Sequence, residues 1–216
     1  MTLTNQQIDR EKPAGWANLL NTLHTRIRTG DFATGLRLVN AIGAAAEEVD
    51  HHPDVDLRYA HVDVRLRSHD VGAVTGRDLR LARTITALAA EAGLSTGHTG
   101  LSRLELALDT PASGTVLPFW AAVLAMTHRT GPGIGDEVQD EAGVLPTVWF
   151  QESGGAEPRQ RWHPDVWVDP SEVQPRIDAA LVAGGTLVSD AEAPSFWVLA
   201  DPEGNRVCLC TWQDRA

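Results

Sequence analysis

The chain has 216 residues, 43% of them hydrophobic, with a formal net charge of −11 and an isoelectric point near 5.1. That is enough apolar material for one globular domain or two small ones, and too acidic a balance for nucleic acid or an anionic membrane as partner. The charge is uneven: residues 1–96 hold 11 Lys and Arg against 12 Asp and Glu, and the remainder 7 against 17, which suggests two units of different origin.

Met1 to Pro13 is polar and lacks the apolar core of a signal peptide, and the longest apolar stretch, Leu117 to Met126, is too short to span a bilayer. A cytoplasmic protein is expected. The cysteines Cys208 and Cys210 lie two apart, a spacing that by itself suits neither a structural disulfide nor a zinc knuckle. Trp16, Leu19, Leu20 and Leu23 have helical spacing, and Leu23 to Arg28 then alternates as a short strand. Asp31 reads as the N-cap of a helix from Phe32 to Glu48, with Leu36, Val39, Ile42 and Ala46 on one face.

That helix runs into Glu47-Glu48-Val49-Asp50-His51-His52-Pro53-Asp54. Adjacent imidazoles cannot share one face of a strand or helix, so His51-His52-Pro53 reads as a bend, in which Pro53 keeps His52 out of the α region. Both rings can then enter one cleft. An unperturbed pKa of about 6.5 suits histidine to acid–base work at neutral pH; on spacing alone, a solvated or structural pair is the alternative.

From Leu57 to Arg67 the pattern alternates, with Val62, Val64 and Leu66 on one face and His61, Asp63, Arg65 and Arg67 on the other. This strand carries His69 back beside the histidine pair if it lies next to the bend; His61, on the polar face, reads as surface. Thr75-Gly76-Arg77-Asp78 opens a further helix with Leu81, Ala82, Ile85, Leu88 and Ala89 on its buried side. Asp78 is either its cap or part of the site. Gly93 is the C-cap.

Residues 95–100 read as a linker between a unit at 1–94 and a second at 101–216. Leu104, Leu106 and Leu108 alternate as a strand, Val116 to Met126 reads as a helix despite Pro118, and short β-like runs follow to Phe150. Val166-Trp167-Val168-Asp169 echoes Leu106-Ala107-Leu108-Asp109, a helix from Ser171 to Ala183 follows again, and strands are predicted at 186–188, 196–199 and 206–212. A strand–helix–three-strand module is thus used twice. Asp201-Pro202-Glu203-Gly204-Asn205 reads as a tight turn.

From Ile27 to Ala90 the chain resembles the pterin-4a-carbinolamine dehydratases. The motif is Glu47-x-x-Asp50-His51-His52-Pro53-Asp54, Tyr59, the alternating strand, Ser68-His69-Asp70, Gly72 and Thr75-x-x-Asp78. The resemblance implies that His51, His52 and His69 carry recognition and proton transfer, and that Glu47, Pro53, Asp54 and Asp78 contribute to the pterin pocket. It also implies a 4a-hydroxytetrahydropterin substrate that loses water to give the quinonoid dihydropterin, no metal or redox cofactor, and a homo-oligomer. The expected architecture is α+β, with an antiparallel sheet covered by helices on one side. The family often has an aromatic residue where this chain has Val55, and the match before Ile27 is loose.

From Leu101 to Trp212 the chain is similar to the glyoxalase-like, or vicinal-oxygen-chelate, superfamily, built from paired βαβββ modules. Members with a catalytic metal use His, Glu or Gln on the strands facing the cup. The matching places here hold Glu105, His163 and Cys208, with Gln151 as a fourth. A lone thiolate in place of the carboxylate makes an odd donor set, and a metal-free cup is expected. Trp149, Trp162, Trp167 and Trp197 either line a pocket for an aromatic ligand or fill the core, the commoner role of a strand Trp. Three readings follow: a dehydratase with an accessory domain, a pterin-binding or regulatory protein without turnover, and a metal-dependent lyase, isomerase or dioxygenase seated in the second half.

Overall fold

The computed structural model describes residues 2–131, 134–153, 162–200, 204 and 206–215. The chain divides between Leu101 and Ser102 into two units. The first holds α1 (Asn5–Glu11), β1 (Ala17–Leu19), β2 (Thr22–Arg28), α2 (Phe32–Glu48), β3 (Asp54–Arg58), β4 (His61–Leu66), α3 (Gly76–Glu91) and β5 (Thr96–Gly97). Its sheet runs β1-β2-β4-β3, antiparallel throughout, with β5 also paired to β2.

Alternation decides which face of this sheet is buried. Val62, Val64 and Leu66 on β4 are fully buried, together with Leu23 and Ile27 on β2, against Leu38, Ile42 and Ala46 of α2 and Leu81, Ala82 and Ile85 of α3. A one-residue slip of β4 would turn all three of its apolar side chains outward, at about 1.5–3 kcal/mol each. On the polar face Arg26 and Asp63, cross-strand partners, form a bidentate pair with both N–O distances 2.6 Å. Asp31 caps α2 by accepting from the Thr34 backbone N–H at 2.8 Å, and that hydrogen bond is the main reason its carboxyl lies below the ordinary range. Gly35 lets α2 lie close to β3, because a Cβ there would stand 2.6 Å from Leu57 Cδ1.

Three local expectations are corrected. Trp16 to Leu23 is not helical: β1 and β2 form a hairpin whose two connecting residues, Leu20 and Asn21, have φ of 51° and 53°. Both central residues of a type I′ turn need positive φ, which Asn tolerates, and eight residues are too few for apolar spacing to separate helix from strand. The polar lead-in contains α1, started by a capping box between Thr4 and Gln7 and anchored by buried Ile8. Thr96–Gly97, read as linker, forms β5, and Gly15 at φ 81° passes so close to it that a Cβ would be 2.4 Å from the Thr96 carbonyl oxygen.

The second unit holds β6 (Arg103–Thr110), α4 (Ser113–Leu124), β7 (Thr127–Gly131), β8 (Ile134–Gln139), β9 (Thr147–Glu152), β10 (Trp162–Trp167), α5 (Pro170–Val182), β11 (Thr186–Ser189), β12 (Phe196–Ala200) and β13 (Arg206–Cys210). Its sheet runs β11-β12-β13-β10-β6-β9-β8-β7, with β6·β9 and β10·β13 parallel and β6·β10 antiparallel at the centre. This is the βαβββ module used twice. Leu106, Leu108, Val148, Phe150 and Trp162 pack on Leu117 and Trp120 of α4, while Val166, Leu199 and Leu209 pack on Val173 and Ile177 of α5. Strand period two therefore puts Glu105, Trp149, His163, Asp165, Trp167 and Cys208 on the opposite face. The turn expected at 201–205 lies, except for Gly204, outside the described residues.

Candidate functional site

The histidine bend begins as a helix end. Asp50 N–H donates to Glu47 C=O and His51 N–H to Ala46 C=O, with Asp50 at φ 47°. This is a Schellman ending with an aspartate in the left-handed position usually given to glycine. It reverses the chain so that His51 turns inward and His52 outward. The His51 side chain is 7% exposed and its Nε2 lies 2.7 Å from Asp78 Oδ1. His52 is half-exposed, and its Nε2 lies 3.0 Å from Glu47 Oε1, one helical turn back.

Asp78 is fully buried and serves both as the N3 partner in the capping box of α3 and as the partner of His51. Its Oδ2 accepts from Ser68 Oγ at 2.7 Å, from Thr75 N–H at 2.7 Å and from Thr75 Oγ1 at 3.1 Å, leaving Oδ1 for His51. The capping box of α3 thus becomes the anchor of the His51 ring. Because a carboxylate only accepts, Nε2 is the protonated nitrogen of His51 and Nδ1 is the one left for exchange; the same holds for His52 on Glu47.

His69 is exposed, in the turn after β4. That turn is closed by Val71 and Gly72 N–H groups donating to Ser68 C=O, and Ser68 is itself tied to Asp78. On its other side Asp70 pairs with Arg77. The hydrogen bond from the Arg77 guanidinium holds the Asp70 carboxyl below its ordinary value, with lesser help from the charge of His51. The loop bearing His69 is therefore fastened on both flanks to α3, through Asp78 and Arg77. Asp54, at the start of β3, is exposed with Oδ2 3.8 Å from Arg65 Nε across the strand pair, and Pro53 is half-buried. Sequence reasoning missed Ser68 as a support; a serine after a strand has no periodic or charge signature.

The Asp70 shift has a pH consequence. With its folded value depressed, the pair's stabilisation is fully present above the unfolded carboxyl value of about 3.9 and is lost as pH falls through the folded value. Asp70→Asn should flatten that part of the acid limb of a stability-versus-pH curve; an unchanged acid limb would remove Asp70 from the account.

The second unit gathers a different set of donors from the one expected. His163, Asp165 and Cys208 place one ligand atom each within 4.8 Å of one another. Glu105 instead accepts from Trp167 Nε1 at 2.8 Å, and Asp165 Oδ2 accepts from Trp149 Nε1 at 3.2 Å. One nitrogen, one oxygen and one sulfur donor fit a borderline divalent ion and not a hard one such as magnesium. Gln151 is exposed and outside this set. Of the four tryptophans, Trp162 stacks edge-on against Trp120 at 5.0 Å and Trp197 packs in the α5 core, while Trp149 and Trp167 use their N–H groups on the opposite face.

Comparison with known proteins assigns both units. Residues 1–88 match the family described as pterin 4 alpha carbinolamine dehydratase, and residues 105–210 match the glyoxalase-like domain. A Mycobacterium tuberculosis protein provisionally named pterin-4-alpha-carbinolamine dehydratase is 35% identical over 88 residues, which is 40% of this chain and 94% of that one. The crystal structure of a transcriptional coactivator/pterin dehydratase from Brucella melitensis is 28% identical, with a TM-score of 0.40, covering 41% of this chain and 99% of that one. A glyoxalase/bleomycin resistance protein/dioxygenase superfamily member from Vibrio splendidus is 12% identical, with a TM-score of 0.36, covering 51% of this chain and 99% of that one. The chain belongs, through its first 88 residues, to the pterin-4a-carbinolamine dehydratase family, and carries a glyoxalase-like domain after it.

Proposed function

We propose that the chain is a 4a-hydroxytetrahydropterin dehydratase that works by histidine acid–base catalysis in its first unit, with the glyoxalase-like unit as an accessory. The observation that carries this reading is that two consecutive imidazoles each have Nε2 on a separate carboxylate, His51 on buried Asp78 and His52 on exposed Glu47. Both rings are thereby oriented, with both Nδ1 atoms left for proton exchange.

The chemistry needs that arrangement. Hydroxide leaves C4a poorly, so one imidazolium protonates the departing oxygen and water leaves. The N5 lone pair forms the C4a=N5 bond, and a second imidazole accepts the N5 proton, giving the quinonoid dihydropterin. Protons and electrons balance without a metal or redox partner. His69, on the loop fastened by Ser68 and Asp70, is the third participant. Glu47 and Asp78 act by orienting histidines; Pro53 and Asp54 shape the pterin pocket.

A homo-oligomer and a cytoplasmic location belong to the same reading. Phe32 and Leu36, one turn apart on α2, are about half exposed, an apolar pair suited to a second copy. Among the described residues no helix is long and apolar enough to cross a membrane.

Pterin affinity measured beside turnover tests the assignment. The dehydratase reading expects saturable conversion of the 4a-carbinolamine. Binding of a stable dihydropterin with no conversion would replace it with a pterin-binding, regulatory role.

A further inference from the structure

The dehydratase reading leaves unused a side-chain cluster on the second sheet, on the face opposite α4 and α5. We propose that Cys208 is a nucleophilic thiol there, with His163 as its general base and Asp165 orienting that base, and that it adds to soft electrophiles of the α,β-unsaturated carbonyl class.

Strand register brings the three groups together. Asp165 on β10 stands opposite Cys208 on the parallel neighbour β13, and His163 lies two residues before Asp165 on the same face. The Cys208 sulfur, a His163 ring nitrogen and an Asp165 carboxylate oxygen lie within 4.8 Å of one another, and His163 Nε2 is 3.5 Å from Asp165 Oδ1. A base within reach of a thiol, with a carboxylate beside that base, is the set that activates a cysteine. Such contacts are often loose until substrate binds, and the short Cys208 side chain closes the gap by rotation about χ1.

Trp149 steers the base and its carboxylate. Its Nε1–H donates to Asp165 Oδ2 at 3.2 Å, which leaves Oδ1 towards His163, and its ring meets the His163 ring edge-on at 6.0 Å. Asp165 is buried while His163 and Cys208 are half-buried, so the thiol is reachable; Cys210, two residues on along the same face, is 2% exposed. By register, the next charged positions on this face among the described residues are Arg206 on β13 and Glu105 on β6, the latter held by Trp167 Nε1–H, and β12 sets Val198 opposite Cys208. The class of electrophile follows from the groups present. A thiolate is a soft nucleophile that needs an activated carbon, the acidic neighbours favour a neutral ligand over an anion, and the imidazolium supplies one proton. His163 takes the Sγ proton, sulfur bonds to the β-carbon, the C=C electron pair shifts into the enolate, and the imidazolium returns the proton to the α-carbon. The net change is addition of S–H across C=C, without oxidant, reductant or leaving group.

The addition is tested on the full chain, with a chelator present, using cyclohex-2-enone as the probe and mass spectrometry to locate the adduct. One adduct per chain, at Cys208 and not at Cys210, is expected. A free thiol is about 1% thiolate at about pH 6.5, so a base that ionises it raises the thiolate population by up to about 100-fold, of which the lower nucleophilicity of such a thiolate offsets about tenfold. His163→Gln should therefore slow the adduct about tenfold at about pH 6.5 with an unchanged melting curve, and match the wild type at about pH 9.5, where the thiol ionises unaided. Asp165→Asn, of similar volume, should show the same split as an independent variant. A Cys208 rate unchanged in both variants, or lowered equally at both pH values, overturns the proposal, as does labelling of Cys210 in place of Cys208.

Discussion

His52→Ala lowers kcat for 4a-carbinolamine dehydration by about 10²–10⁴-fold, the contribution of one positioned acid or base, and leaves the melting temperature nearly unchanged. The separation of effects follows from exposure. The His52–Glu47 pair is solvated, with side chains 54% and 77% exposed, so its loss belongs with surface substitutions, usually within about ±0.5 kcal/mol. Steady-state kinetics beside a thermal melt checks both halves. A variant that keeps wild-type kcat would remove His52 from the chemistry, whatever its stability.

Asp78→Ala should be the most damaging single change in the first unit, costing about 3–5 kcal/mol of stability together with most of the turnover. Removing this carboxylate orphans the Thr75 N–H and His51 Nε2 in a buried place and leaves Ser68 Oγ only its bond with Thr75 Oγ1, and each unsatisfied group costs about 1–3 kcal/mol. The N3 half of the α3 capping box goes with it, leaving only the Thr75 cap. Asp78→Asn keeps the volume and part of the hydrogen bonding, so it should fold better than the alanine variant. It also offers an N–H where His51 needs an acceptor, which reverses the His51 tautomer. Turnover in Asp78→Asn should therefore fall about 10²-fold or more at modest stability loss. Denaturant unfolding followed on the first unit separates the variants. Equal stability of Asp78→Ala and wild type would show that the network is not structural, and full activity in Asp78→Asn would sink its orienting role.

How legible the chain was depended on the kind of signal. The long regular elements were readable because one-sided burial imposes periodicity: α2 runs Phe32–Glu48 as the Asp31 cap implied, and β4 alternates as Val62, Val64 and Leu66 required, although the buried face of α2 is Gly35, Leu38, Ile42 and Ala46, and Phe32 and Leu36 of the expected face are about half exposed. The doubled βαβββ order was readable as a repeat. Short elements were not. The Trp16–Leu23 segment turns on two residues with positive φ, a backbone choice stabilised by the hairpin's tertiary packing and not by spacing. The strand expected from Leu57 to Arg67 is also corrected: Tyr59 and Ala60 separate β3, where Val55 and Leu57 face the core, from β4, and alternation runs through both without marking the turn.

At the candidate site, sequence named the groups and structure named their partners. His51 and Asp78 are 27 residues apart, and nothing in spacing says that one carboxylate both caps α3 and holds the imidazole. Asp165 escaped notice for a related reason: its role depends on the β10·β13 register, which sets it opposite Cys208, while Glu105, the expected donor, is taken by Trp167.

The most direct test of the central claim is the rate at which the full chain consumes 4a-hydroxytetrahydropterin, generated in place by an aromatic amino acid hydroxylase and followed by ultraviolet absorbance. The account predicts dehydration well above the uncatalysed rate, saturable in substrate, and largely lost in the His51, His52 and His69 alanine variants that retain a cooperative melt. A wild-type rate equal to the uncatalysed one, in protein that binds pterin, would contradict it.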